Sequence, residues 1–318
     1  MKKIVMGRSG IAVTELCFGT LPMGPLQKNI NLEEAADIIA HGLKSGITFI
    51  DTAQVYKTYS QIRLAINKSK ILPVISSKSS ATTYEKMGEA VEEALVGLDT
   101  QKIDIFLIHA ARVNKNVLEE RESPLRCLLD YREKGIIGAI GISTHVVDVV
   151  RAAAIHPEID IVFPLINRLS MGIIGGTREE METSINECHS NNKGIYIMKV
   201  LAGGNFVSDY KDSMDYFSDF SNGRFARAIG MLNKSEVDMN INYLNGSDIT
   251  SELANTSIHN KKFVIMKQCT KCKSCIDACH SSAIAVSDDH DRATIDEFKC
   301  IKCGYCVAAC PQFCIRMN

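Results

Sequence analysis

A chain of 318 residues is longer than one small core can organise, and its length fits one large domain with a small second one. Its 36 Lys and Arg nearly cancel its 37 Asp and Glu, so neither nucleic acid nor an anionic membrane surface is an expected partner. Apolar residues reach 46% but fall in short runs, none of the length of a membrane span, so a soluble cytoplasmic protein is expected.

The opening KKIVMGRSGIAVT reads as a small hairpin turning at Gly10, and the apolar stretch Leu16–Gly19 ends in Phe-Gly-Thr. Leu32–Lys44 carries apolar residues at helical spacing, with Asn31 as N-cap and Gly46 as its stop. The buried strand ITFI then delivers Asp51. The alternation continues with a helix near Ser60–Asn67, a strand at Ile71–Ser76, a helix at Tyr84–Val96 and a strand at Ile103–Ile108. A helix at Pro124–Lys134, a strand at Ile136–Ile140, a helix near Val146–Ala154 and a strand at Ile159–Phe163 come next. Helix Glu179–Ser190 leads to strand Gly194–Met198. Gly204–Gly223, rich in Asp, Ser, Asn and aromatic residues, reads as an irregular segment. It is either a loop over the mouth of the fold or a contact surface for the second domain. The last unit reads as helix Arg224–Leu232, strand Val237–Leu244 and helix Ile249–Asn255.

Eight strand-plus-helix units predict an α/β fold, a (β/α)8 barrel of roughly 250 residues. A doubly wound sheet is disfavoured, because CFGTLPMG lacks the glycine fingerprint of such folds. The barrel is assigned to residues 1–262 and a small α+β domain to 263–318.

In a barrel, ionisable residues at the C-terminal ends of strands face the mouth. Asp51 follows ITFI, Tyr56 lies in the same loop, Lys78 follows ILPVISS and His109 follows IDIFLI. Singly, each has an ordinary explanation in capping or packing. Together they make a proton-donor set. An adjacent ammonium lowers a phenol's pKa, Asp51 would hold Lys78 in place, and His109 could orient a carbonyl oxygen. Such a set serves a carbonyl whose carbon receives hydride from a nicotinamide.

The small domain holds Cys269-x-x-Cys272-x-x-Cys275-x-x-x-Cys279 and Cys300-x-x-Cys303-x-x-Cys306-x-x-x-Cys310-Pro311. Each run resembles the bacterial-type ferredoxin run, whose fourth cysteine serves the other cluster. The resemblance implies one [4Fe-4S] cluster on Cys269, Cys272, Cys275 and Cys310, and a second on Cys300, Cys303, Cys306 and Cys279. Zinc needs only four ligands per ion and no third cysteine at this short spacing. A disulfide scaffold needs an oxidising compartment, and no secretory segment is expected from the start MKKIVMGRSG. AIAVSDDHDRATID between the runs reads as a hairpin. Cys17, Cys127 and Cys188 are expected as buried thiols and Cys314 as a spectator. His280 reads as a loop residue. His145 either reaches a cofactor or caps a helix.

The segments FGT, GITFIDTAQVY, VISSK, IDIFLIHA, GIIGAIGIS and GIYIMKVLAGG resemble successive signatures of the aldo-keto reductases, from Met1 to about Asn260. The tail resembles the two-cluster domain carried by one branch of that family. The resemblance implies an NAD- or NADP-dependent carbonyl reductase or alcohol dehydrogenase. Asp51, Tyr56, Lys78 and His109 take the places of the family's catalytic tetrad. Gly19, Thr20 and Asp51 match its nicotinamide-side motif, and Ser143 matches the serine that binds the carboxamide. Thr144, Asn167, Lys199 and Asn255 complete the implied cofactor contacts.

Several positions depart from the family pattern. Thr144 stands where asparagine is common, Phe163 where many members have glutamine, and Lys199 where a tyrosine often stacks on the nicotinamide. LNGSDITSELANT resembles the adenosine-phosphate motif but has Ser251 for an arginine and Ala254 for a glutamate. KTYSQIRLAIN lacks the glycines and acidic residue usual in its loop. NAD against NADP therefore stays open.

Cubane clusters pass single electrons whereas nicotinamide exchanges hydride, so direct coupling needs a converter such as a flavin. The AGG and NGS glycines, placed after the seventh and eighth strands, make FMN a second candidate ligand. Otherwise the clusters connect an external one-electron partner to the barrel or are structural. Three classes follow: an enzyme on a small carbonyl or alcohol, an electron-transfer protein with the barrel as docking platform, and a barrel that has lost its cofactor. In sequence the cluster domain takes the position of the family's pocket-shaping tail, which would lay it over the pocket.

Overall fold

The computed structural model describes residues 1–111, 113, 116–249 and 262–317. The hairpin β1 (Lys3–Val5) and β2 (Ala12–Thr14) comes first. Eight parallel strands then close a barrel: β3 (Leu16–Gly19), β4 (Phe49–Asp51), β5 (Val74–Ser79), β6 (Ile103–Ala110), β7 (Ile137–Thr144), β8 (Ile161–Pro164), β9 (Gly194–Met198) and β10 (Ala226–Gly230). They pair in chain order, and β10 returns to pair with β3. The outer layer holds α1 (Leu32–Lys44), α2 (Tyr59–Ser69), α3 (Tyr84–Leu98), α4 (Val117–Glu120), α5 (Glu122–Glu133), α6 (Val147–Ile155), α7 (Arg178–Ser190), α8 (Tyr210–Ser221) and α9 (Lys234–Leu244).

Two apolar layers follow from the period-two alternation of strands. Phe18, Ile50, Ile75, Phe106, Ile108, Ile140, Ile142 and Val162 point outward against the helices. Cys17, Phe49, Ile105, Leu107, Ala139, Ile161, Phe163 and Tyr196 point inward. Ile4, Met6 and Val13 of the hairpin join that interior set and plug one end of the barrel. The same parity carries upward along each strand. Asp51 continues Phe49, His109 continues Leu107, and Lys78 and Ser143 stand on the inward register of β5 and β7. Alternation thus turns four polar side chains into the mouth.

The end of the barrel differs from the expected order. Residues 226–230 are strand β10 where a helix was expected, and the expected strand Val237–Leu244 lies in helix α9. Asn233 caps that helix by accepting from the Glu236 N–H, which overrides the β-branched character of the segment. The segment read as irregular contains α8. Its buried Tyr210, Ser213, Met214, Phe217 and Ser221 recur at helical spacing among polar residues that had suggested a loop. Strand β5 starts at Val74 rather than Ile71, because Pro73 has no N–H for the ladder. The expected helix end at Asn255 lies outside the described residues.

The small domain comprises β11 (Phe263–Ile265), α10 (Ser274–Asp277), β12 (Ile284–Ala285), β13 (Thr294–Ile295), α11 (Tyr305–Ala309) and β14 (Ile315–Met317). β11 pairs with β14, tying its ends together, and β12 pairs with β13 as the expected hairpin. Its core is built largely from cysteines, with Phe263, Ile265, Ala283, Ile284 and Ile315 around them. Among the described residues no helix is long and apolar enough to cross a membrane.

Candidate functional site

At the mouth, Lys78 Nζ donates to Asp51 Oδ1 at 2.8 Å, to Oδ2 at 2.7 Å and to the Thr52 carbonyl at 2.8 Å. All three ammonium protons are thereby committed. Tyr196 donates to Asp51 Oδ1 at 2.9 Å and lies 2.8 Å from Ser76 Oγ. Burial pushes the Asp51 carboxyl up and the Lys78 ammonium down, while their contact pulls each back toward its charged form. Tyr196 was not singled out as a site residue. Its signal was present in the inward register of GIYIM, where a phenol needs a buried partner.

Tyr56 ends a 3-10 turn, Gln54–Tyr56, directly after β4 and is buried. Lys78 Nζ lies 4.8 Å from the centre of its ring. The expected lowering of the Tyr56 pKa is not what the site produces. Burial pushes the phenol well above its ordinary value, and Tyr305 and the Asp51 charge push the same way. The ammonium sits over the ring with its protons spent elsewhere. Tyr56 is therefore a neutral, proton-holding group. His109 meets its ring edge-on at 6.1 Å, and burial followed by the Lys78 charge holds the imidazole well below its usual pKa. Tyr59, the neighbouring phenol, bonds Ser77 Oγ at 2.9 Å in the outer layer and belongs to the packing there.

A cleft beside the tetrad is lined by Gly19, Asp51, Tyr56, Phe163, Met198 and Lys199, among others. Phe163 stacks on Tyr196 with ring centres 3.8 Å apart. Ser143 Oγ is buried with no hydrogen-bond partner among the described residues, as a donor reserved for a ligand would be. The other implied contacts are placed differently. Thr20 Oγ1 donates to the Asp51 carbonyl and bonds Thr58 Oγ1, bracing the loop. Thr144 Oγ1 accepts from the Val146 N–H at the start of α6. Asn167 spends its amide on both backbone groups of Met171. Asn255 lies outside the described residues. His145 is buried, its Nδ1 without a partner among the described residues, 5.9 Å from the His280 ring.

Of the glycines considered for an FMN phosphate, Gly203 and Gly204 line the cleft beside Asp51 and Tyr56. Gly203 lets the cluster domain approach, since a Cβ there would meet the Ile301 carbonyl oxygen at 2.2 Å. Asn245-Gly246-Ser247 follows helix α9 rather than strand β10, because the last strand lies earlier than expected.

In the small domain one cavity is lined by Cys269, Cys272, Cys275 and Cys310, and another by Cys279, Cys300, Cys303 and Cys306. Each combines three cysteines of one run with the last of the other. No group of three or more His, Cys, Asp or Glu among the described residues is gathered for a single metal ion. Four thiols spread around a cavity instead suit a cubane, where each binds a separate iron. Cys314 is more than a bystander in position. It lines the first cavity with its Sγ 3.3 Å from that of Cys310.

The second cysteine site docks on the barrel mouth. Asn205 donates to the Cys300 carbonyl at 2.8 Å and Gln27 to the Lys302 carbonyl at 2.9 Å. Gly304 has φ +84°, and a Cβ there would strike the Leu26 carbonyl oxygen at 2.1 Å, so only glycine fits. Tyr305, next in the chain, brings its hydroxyl 2.7 Å from His109 Nε2.

Fold and site together define a (β/α)8 barrel with Asp51, Tyr56, Lys78 and His109 gathered at its mouth, joined to a domain with two four-cysteine sites. The sequence pattern of the aldo/keto reductase family matches residues 15–260, and that of the 4Fe-4S dicluster domain matches residues 261–311. The chain belongs to the aldo/keto reductase family, with a ferredoxin-type domain fused behind the barrel.

The chain is 29% identical over 175 residues to Probable aldo-keto reductase 1 of Glycine max, covering 49% of each protein. It is 28% identical over 139 residues to Glyoxal reductase of Bacillus subtilis, covering 41% of this chain and 49% of that one. It spans about half the length of the curated relatives it matches. A protein of Pseudomonas aeruginosa assigned to the aldo-keto reductases superimposes with TM-score 0.63 at 25% identity, covering 75% of this chain and 92% of that one. The aldo-keto reductase AKR11C1 of Bacillus halodurans gives TM-score 0.63 at 16% identity, covering 80% and 96%, and shows the shared fold.

Proposed function

We propose that the protein reduces a small carbonyl compound, or oxidises the alcohol, with NAD or NADP, and exchanges single electrons with a partner through two [4Fe-4S] clusters. The observation that carries the enzymatic reading is the convergence of Asp51, Lys78, Tyr56 and His109 at one end of the barrel beside the unpartnered Ser143 hydroxyl. Ser143, its hydroxyl without a partner among the described residues, would hold the carboxamide of a nicotinamide, which would supply the hydride. Neutral His109 orients the carbonyl oxygen through Nε2. Tyr56 gives that oxygen its proton, and the Lys78 charge over the ring stabilises the phenolate left behind. Asp51, gripped by Tyr196, keeps Lys78 in position.

The clusters supply one-electron transfer, one held by Cys269, Cys272, Cys275 and Cys310, the other by Cys279, Cys300, Cys303 and Cys306. The placement supports a relay. Cys272 is exposed to solvent, whereas the Cys300–Tyr305 segment lies on the barrel mouth. The boundary between residues 262 and 263, where β11 begins, belongs to this reading. The close docking of the second site also favours a second reading, an electron-transfer protein with the barrel as platform.

Anaerobic carbonyl reduction with each nicotinamide, on wild type and Tyr56→Phe, separates the two. Loss of a positioned general acid should lower kcat by about 10²–10⁴-fold. Equal kcat in both proteins, with hydride transfer shown to be rate-limiting by isotope effect, would remove Tyr56 from its role. Absence of turnover with either nicotinamide, with clusters that still reduce, favours the electron-transfer reading.

A further inference from the structure

Tyr305 stands between Cys303 and Cys306, so its backbone is fixed by two cysteines of the second site. The ring is half-buried, and its hydroxyl reaches His109 Nε2 at 2.7 Å. His109 in turn meets the ring of Tyr56 edge-on, with ring centres 6.1 Å apart. His280, which follows Cys279 of the same site, packs edge-on against the ring at 4.3 Å. His109 does not line the cleft that Tyr56 and Asp51 line.

An oxygen that takes the proton of Tyr56 while oriented by His109 must sit within hydrogen-bond reach of both. The Tyr305 oxygen takes the His109 half of that position at 2.7 Å from Nε2, beside the imidazole edge that Tyr56 faces. We infer that Tyr305 occupies the substrate-oxygen position of the barrel, a phenol carried in by the cluster domain that a carbonyl substrate must displace. This inference rests on the tetrad reading above. It makes Tyr305 the residue that decides which substrates enter, and it ties entry to movement of the Cys300–Cys306 segment. The slot fits a planar ring bearing an oxygen, so free phenols should bind it once Tyr305 is removed.

The test uses the full chain with its clusters, prepared anaerobically, as wild type, Tyr305→Gly and Tyr305→Leu. Calorimetric titration with p-cresol should show binding at least about tenfold tighter to Tyr305→Gly than to wild type, the value of a buried hydrogen bond. Tyr305→Leu, which fills part of the space, should fall between. Adding His109→Ala to Tyr305→Gly should weaken p-cresol again. With 4-nitrobenzaldehyde as carbonyl probe, kcat/KM should rise in Tyr305→Gly and p-cresol should inhibit competitively there. If no variant reduces the aldehyde yet p-cresol binding still follows Tyr305 and His109, the catalytic reading fails, while Tyr305 is still shown to fill a phenol slot on His109. Equal p-cresol binding in wild type and both variants, or an increase insensitive to His109→Ala, overturns it. So does loss of iron and sulfide from both variants, since a displaceable plug is not a buttress of the cluster site.

Discussion

Lys78→Met separates the two charged halves of the site. Methionine keeps the apolar stem but removes two N–H donors to Asp51, at 2.7 and 2.8 Å, and one to the Thr52 carbonyl at 2.8 Å. The side chains are only 1% and 5% exposed, so water cannot replace the lost partner. Breaking a buried pair from one side costs about 3–5 kcal/mol. For a chain of this size that lowers the melting midpoint by about 4–8 °C. Asp51→Asn combined with Lys78→Met leaves no stranded charge and should recover much of the loss, because a buried pair is worth little more than a neutral replacement.

The dependence on pH has a definite sign. Burial already raises the Asp51 pKa, and removing Lys78 deletes the main opposing influence. A carboxyl raised on folding holds its proton more tightly in the folded chain. The single variant therefore loses stability as pH rises from the unfolded value near 4 through the raised folded value. Scanning calorimetry under anaerobic conditions, from about pH 5 to about pH 8, reads both effects. A single variant that melts with wild type, a double variant no more stable than the single, or a gap that narrows toward high pH would refute a buried ion pair.

Two further outcomes are expected. Ser143→Ala should raise KM for the nicotinamide by about tenfold and leave kcat nearly unchanged, because it removes binding shared by ground and transition states; a fall confined to kcat would contradict the carboxamide role. Anaerobic protein should contain about eight iron and eight sulfide atoms, and Cys314→Ala should keep them while Cys310→Ala should not; loss on Cys314→Ala alone would move the fourth ligand of the first site from Cys310 to Cys314, a swap that their 3.3 Å separation makes testable.

The sequence carried the barrel because short apolar runs such as IDIFLI recur between helical patterns, and a parallel strand buried on both faces needs such a run. It carried the cysteine sites because ligand spacing is local. It misplaced the last unit because α9 has β-branched Val237 and Ile241 among few good helix formers, and its Asn233 cap is one residue's worth of signal. It misjudged the Tyr56 proton because a neighbouring ammonium is visible in sequence, whereas the burial that outweighs it is set by the fold. Tyr196 on Asp51 joins residues 145 apart, with no local pattern to announce it.

Tyr305 shows the same limit in its strongest form. Inside Cys-Gly-Tyr-Cys no local pattern marks either Gly304 or Tyr305. Both acquire meaning only when the run is laid on the barrel. Glycine lets the backbone touch the Leu26 carbonyl, and that close approach puts the next side chain on His109, 196 residues away in the chain. The Gly203 contact with Ile301 secures the same segment from the loop after β9. A larger residue at 203 or 304 would hold the run off the mouth by the width of a methyl group, and the Tyr305 hydroxyl with it. The two glycines and the tyrosine are thus one device, by which a domain built around its own cysteines reaches His109 at the mouth of the barrel.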